Sequence, residues 1–265
     1  STRDWSSDVC SSDLDDMFAR TRAFLSSIIL FLLGLVLVFS LVYCIRIFLN
    51  EQNEDIPIYR VETDKKEIAL TFDISYNEGN VDKILDVLDK YDVKATFFVV
   101  GNWVDNNQDV VKKIHDRGHE IGNHSYSHPY FNEISESEMK TELDKTSKKI
   151  KDIIGEETTL FRPPYGEINE NGVKYCESLG YKVINWDVDS MDWKNIKGIY
   201  IVDRVAQNTS PGSIILFHGE GRNIDDYLDS IIAHFQKNGY KMLKLSDLVY
   251  DEDYYIDSSG VQRHK

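Results

Sequence analysis

Five short stretches place acids, imidazoles and a guanidinium where apolar runs give way to loop. Asp73 follows the run Ile68-Ala69-Leu70-Thr71-Phe72, so its carboxylate emerges at a strand end. His124 and His128, in the stretch HSYSH, have the four-residue spacing that brings two imidazoles to one metal ion from a helical turn. Arg162 precedes Pro163-Pro164-Tyr165-Gly166, where two prolines stiffen the backbone beside a guanidinium suited to holding a carboxylate. Asp192 and Trp193 close the stretch DSMDW, and Leu216 and His218 the stretch LFH. Each has an ordinary reading alone: a turn carboxylate for Asp73, a chance histidine pair in a chain with seven histidines, turn chemistry at Arg162, core packing for Trp193 and a satisfied strand-end imidazole for His218. Five polar strand ends of this kind have a common cause if they line one cleft.

The elements that must position them follow from periodicity. Apolar runs of strand length recur at 67–72, 95–100, 119–122, 159–162, 181–187, 213–218 and 240–244, with helical patterns between them. Residues 81–91 put Ile84, Leu85, Val87 and Leu88 on one stripe. Ser135 and Glu138 form a capping-box match for a helix that runs to Ile154 and stops at Gly155. Strands alternating with helices, several of them continuously apolar, predict an α/β fold with both faces of a parallel sheet covered. The specific expectation is an irregular (β/α) barrel of about seven strands, its chemistry at their carboxyl ends.

In order and spacing the five stretches resemble the motifs of the carbohydrate esterase polysaccharide deacetylases with a NodB-type homology domain, over roughly residues 65–250. Locally, IALTFDIS is similar to the sporulation-associated subgroup, and the YNEG and NHSYSHP segments to the peptidoglycan N-acetylmuramic acid deacetylases. The resemblance implies removal of acetyl groups from cell-wall amino sugars, N-acetylglucosamine or N-acetylmuramic acid, with release of acetate. It implies that His124 and His128 bind a divalent metal, zinc by preference with cobalt or manganese as alternatives. It makes Asp73 the general base, oriented by Arg162, and assigns the backbone amide of Tyr165 to the oxyanion. His218 becomes the general acid, its tautomer fixed by Asp192, and Trp193 and Leu216 wall the acetyl methyl. The chain departs from the family where a second aspartate, a metal ligand, usually follows the base: the residue here is Ile74. Asp73 itself, Asn77 or Glu78 could complete the coordination, or the site could work with two histidines and water. The rival expectation is a catalytically silent glycan-binding protein on the same fold. A two-carboxylate glycosidase would leave HSYSH and LFH unexplained.

Composition sets the remaining bounds. A formal charge of −15 without a basic stripe argues against nucleic acid, and nothing demands an obligate protein partner. Three scattered cysteines cannot build a disulfide framework. Residues 1–16, with the near-repeat of SSDV as SSDL, resemble a translated sequencing-adapter tract, which makes Met17 the expected start. Residues 24–44 are apolar for about the ~20 positions that a membrane-spanning helix needs. Arg20 and Arg22 before the span predict a cytoplasmic N-terminus and an extracytoplasmic domain. The expected layout is thus an anchor at 17–50, a polar tether at 51–64, the catalytic domain at 65–250 and a frayed acidic tail at 251–265.

Overall fold

The computed structural model describes residues 8–50, 55–75, 79–194 and 196–265. The chain divides into two units, Ser1–Glu51 and Gln52–Lys265.

The first unit is one helix, α1 (Asp8–Asn50). Its stretch Met17–Ile45 is 29 residues long and apolar enough to cross a membrane. Helix is already present at Asp8, inside the stretch that resembles an adapter tract. Residues 8–16 contain neither glycine nor proline, so the apolar helix propagates into them at the cost of one residue's ordering per added hydrogen bond.

The second unit runs β1 (Arg60–Val61), β2 (Glu67–Ile74), α2 (Val81–Lys90), β3 (Thr96–Val99), α3 (Gly101–Val104), α4 (Gln108–Asp116), β4 (Glu120–Asn123), α5 (Glu136–Ile154), β5 (Leu160–Phe161) and α6 (Glu170–Ser178). It continues through β6 (Lys182–Val183), β7 (Val188–Asp189), α7 (Gly198–Asn208), β8 (Ile214–His218), α8 (Ile224–Lys237), β9 (Lys241–Leu243), α9 (Leu245–Leu248), β10 (Tyr254–Ile256) and β11 (Val261–His264). The order β6-β5-β4-β3-β2-β8-β7, all parallel, makes a half-barrel, and β9 pairs with the start of β2. Central β2 is buried from Ile68 to Ile74 because both of its faces are covered, and Phe72 stacks between Phe97 and Phe217 at 5.0 and 5.4 Å. The capping box at Ser135 and the left-handed stop at Gly155 bound α5 where expected.

Three expectations need correction. The single run 181–187 resolves into β6 and β7, which lie at opposite edges of the sheet, so residues 184–187 cross the open side of the half-barrel. Apolar content cannot distinguish one long strand from two short ones joined by a crossing. The tail after Tyr250 is not frayed: β10 and β11 form a hairpin, and β11 pairs with β1 in a second, three-stranded sheet. Gln262 is fully buried and closes both bonds with the backbone of Tyr250, at 2.9 Å each. The tether shortens accordingly, since Ile58 and Val61 are core residues. Ile58 bridges Ile184 beside β6 and Arg60 bridges Ser213 at the foot of β8, so this segment lies across the seam of the half-barrel.

Candidate functional site

Asp73 sits near the end of β2, 6% exposed. Arg162, just past the end of β5 and three strands along the sheet, is fully buried and donates from Nη1 to Asp73 Oδ1 at 2.8 Å and from Nη2 to the carbonyl of Asn185 at 3.1 Å. Its guanidinium lies over the Phe98 ring, 4.2 Å from the centroid, so cation–π contact offsets part of its desolvation. Burial alone would raise the Asp73 carboxyl, but the charges of Arg162, His124 and His218 and the Arg162 bond outweigh it and hold Asp73 below the ordinary carboxylate value.

The histidine pair lies on a loop, not on the helical turn its spacing predicts. Ser125 and His128 adopt left-handed backbone, with φ of 65° and 61°. Buried polar bonds hold this strained path. Asn123 accepts from the Ser125 N–H at 2.8 Å while donating to Leu143 and Ser147 on α5, and Glu142 accepts the N–H groups of Tyr126 and Ser127. The two imidazoles meet edge to face with centroids 4.9 Å apart. His124 Nδ1–H donates to the Arg162 carbonyl at 2.8 Å, and Nε2 faces Asp73 Oδ2 at 3.6 Å. Burial lowers the pKa of His124 against the opposing pull of Asp73, and burial together with neighbouring His124 pushes His128 down to about 4.

Across the cleft, Asp192 in a short 3₁₀ turn is almost wholly buried. Its Oδ1 accepts from His218 Nδ1 at 2.8 Å, and its Oδ2 accepts both the His218 backbone N–H and the Tyr227 hydroxyl at 3.0 Å. Burial would lower His218, but the Asp192 bond and the charges of Asp192, Asp73 and Asp189 raise it above its ordinary value. A depressed acid and a raised base thus face one another, the pattern of a proton-transfer pair.

Between them lies a cleft of about 450 Å³ lined by Asp73, His124, His128, Tyr165, Trp193, Leu216 and His218, together with Ser75, Trp186 and Asp189. Arg162 and Asp192 stand directly behind it, in contact with Asp73 and His218. All nine expected residues therefore converge. Tyr165 is left-handed at φ 62° and packs edge-on against His128 at 4.6 Å. Gly166, also at positive φ, leaves no room for a Cβ, which would stand 2.7 Å from the Trp186 ring. Trp186 and Asp189 carried a signal, being polar or aromatic residues at the end of a predicted strand. Tyr227 carried none, because it falls in the apolar stripe of α8 and reads as core.

The residues present suit a divalent cation. A carboxylate oxygen and the Nε2 of a buried imidazole stand 3.6 Å apart, and the carbonyl bond to Nδ1 orients His124 as a ligand would be oriented. Among the described residues, no set of three or more His, Cys, Asp or Glu side chains is gathered closely enough to enclose a metal. Ile74 offers no ligand, being fully buried in the main apolar core, and Asn77 and Glu78 lie outside the described residues.

A parallel half-barrel with an acid–base cleft at the carboxyl ends of its strands matches the polysaccharide deacetylase family over residues 60–184. The chain belongs to that family, carbohydrate esterase family 4, whose enzymes hydrolyse N-acetyl amide bonds. It is 42% identical over 198 residues to an uncharacterized 30.6 kDa protein of Geobacillus stearothermophilus, covering 73% of this chain and 75% of that one. It is 36% identical to the peptidoglycan-N-acetylmuramic acid deacetylase PdaA of Bacillus subtilis, covering 76% and 78%. With a peptidoglycan-N-acetylglucosamine deacetylase of Bacillus cereus it shares 37% identity, covering 69% and 68%. Among solved structures, BA3943 of Bacillus anthracis, described as a pseudoenzyme of the same family, superposes with a TM-score of 0.71 at 32% identity, covering 80% of this chain and 74% of that one. A mutant of BA3943 described as having restored enzymatic activity superposes at 0.70 with 35% identity, covering 74% and 71%.

Proposed function

We propose that the protein is a membrane-anchored, extracytoplasmic peptidoglycan deacetylase that hydrolyses the N-acetyl group of a cell-wall amino sugar. The observation that carries this reading is the buried Asp73 carboxylate, held ionised by Arg162, opposite a His218 imidazole held protonatable by Asp192. Amide hydrolysis needs both, because amide nitrogen leaves poorly until it is protonated.

His124 and His128 would hold the divalent metal, zinc by preference, with Asp73 Oδ2 alongside. A metal held there would supply Lewis-acid polarisation of the acetamide carbonyl. Asp73 takes a proton from the attacking water, and Arg162 keeps the receiving carboxylate turned into the cleft. The backbone N–H of Tyr165, on a left-handed and therefore rigidly committed turn, stabilises the developing oxyanion. His218 delivers a proton to the nitrogen as the C–N bond breaks, leaving acetate and the free amine. Leu216 and Trp193 wall the acetyl methyl. Relatives acting on N-acetylmuramic acid and on N-acetylglucosamine are equally near, so the reading stops at the peptidoglycan amino sugar.

A second reading, a silent glycan-binding protein, is favoured by Ile74 and by the pseudoenzyme neighbour. The two separate on acetate release. The full chain in detergent, stripped and reloaded with zinc, cobalt or manganese, is expected to release acetate from purified peptidoglycan. Asp73→Asn is expected to lower the rate by about a hundredfold or more. Binding to peptidoglycan without acetate under any of the three metals would establish the silent binder instead.

A further inference from the structure

Asp192 accepts three hydrogen bonds, and one donor belongs to none of the residues that line the cleft. Tyr227 stands on α8, 2% exposed, and its hydroxyl reaches Asp192 Oδ2 at 3.0 Å. The carboxylate would otherwise be free to rotate between two nearly equivalent oxygens. With Oδ2 engaged by Tyr227 and by the His218 backbone N–H, Oδ1 is left for His218 Nδ1 at 2.8 Å.

The surroundings are built to admit this hydroxyl. A Cβ at Gly221 would stand 2.1 Å from the Tyr227 oxygen and 2.9 Å from Asp192 Oδ2. Gly221 is not at positive φ, so its requirement is close approach and not backbone freedom. Its position is fixed from the other side, where Asn80 donates to its carbonyl at 2.9 Å and its own N–H donates to the His218 carbonyl at 3.1 Å. The Tyr227 ring meanwhile packs in the main core and stacks with Phe217, centroids 6.4 Å apart. A phenylalanine would fill the same core volume, so the hydroxyl answers to Asp192.

We propose that Tyr227 is a positioning residue: its hydroxyl locks Asp192 in the orientation that keeps the His218 proton on Nδ1 and points Nε2 at the leaving nitrogen. The inference rests on the reading of His218 as the acid that protonates the leaving group. Its effect should therefore depend on how much the leaving group needs a proton.

The test compares an N-acetylated chito-oligosaccharide, whose amine must be protonated, with 4-nitrophenyl acetate, whose phenolate leaves without help. Both are assayed with the full chain in detergent, for the parent, Tyr227→Phe, Gly221→Ala and His218→Ala. Tyr227→Phe is expected to lower kcat on the amide by about tenfold with KM unchanged and to leave the ester rate within about twofold. Gly221→Ala, which keeps the hydroxyl but displaces it, should reproduce that selectivity. Equal loss on both substrates in Tyr227→Phe, or no loss on either, would overturn the proposal in favour of a core role for the side chain. His218→Ala checks the reading beneath it independently: if that variant loses amide and ester activity equally, His218 is not the leaving-group acid and the inference falls with it.

Discussion

At the scale of single residues, the site is two buried ion pairs facing each other, and each pair predicts its own defect. Arg162→Ala leaves the Asp73 carboxylate buried with its chief partner gone, which should cost about 3–5 kcal/mol of stability in chemical denaturation at neutral pH. The second pair predicts a pH effect. His218 must be protonated to act, and its pKa is raised above 6.5, so the rate should hold above pH 6.5 and fall as pH rises through that raised value. Asp192→Asn removes the charge that raises it while burial remains. The alkaline limb of kcat should then move to lower pH; a limb that stays in place would show that another group is the acid. Most of this site was legible in the sequence, because residue type and position at a strand end are local properties. What was not legible depends on contacts distant in the chain: the loop carrying Ser125 and His128 is held by Glu142 on α5, and Tyr227 is indistinguishable from core until Asp192 is seen beside it.

At the scale of elements, α5 does more than cover the sheet. Leu143, Ser147 and Glu142 on that helix supply the partners that hold the loop carrying both histidines. Ser135→Ala removes the capping box at its start and should cost about 1 kcal/mol in thermal unfolding, with metal affinity unchanged, because the cap lies two turns before Glu142. Glu142→Ala should instead weaken zinc binding measured by calorimetry, since it frees the loop N–H groups directly. The caps of α5 were readable from Ser135, Glu138 and Gly155 alone, since capping is a matter of a few adjacent residues. The division of 181–187 between two sheet edges was not, because Asn185 turns away only by bonding to Ile58 and Gly166.

At the scale of the whole molecule, the catalytic unit is bounded by its own two ends. Ile256 packs with Ile58, Val61 and Leu248 in a second apolar cluster, and Arg263 pairs with Glu62 and Asp257. Ending the chain at Tyr250 should therefore lower the melting temperature of the whole unit rather than trim a loose tail. Asp257 adds an acid sensitivity. Burial would raise it, but bonds from Ser259, Arg263 and the N–H of Val261 hold it at about 2, so its contribution is present above pH 3.8 and is lost as pH falls toward 2. The hairpin's amide protection against hydrogen exchange should fall over that interval, and less so in Asp257→Asn. The pairing of β1 with β11 joins Arg60 to Val261, positions 261 − 60 = 201 residues apart. A contact of that separation is among the slowest a chain can make. In vectorial synthesis β1 leaves the ribosome well before β11, so this second sheet closes only after every strand of the half-barrel has been made.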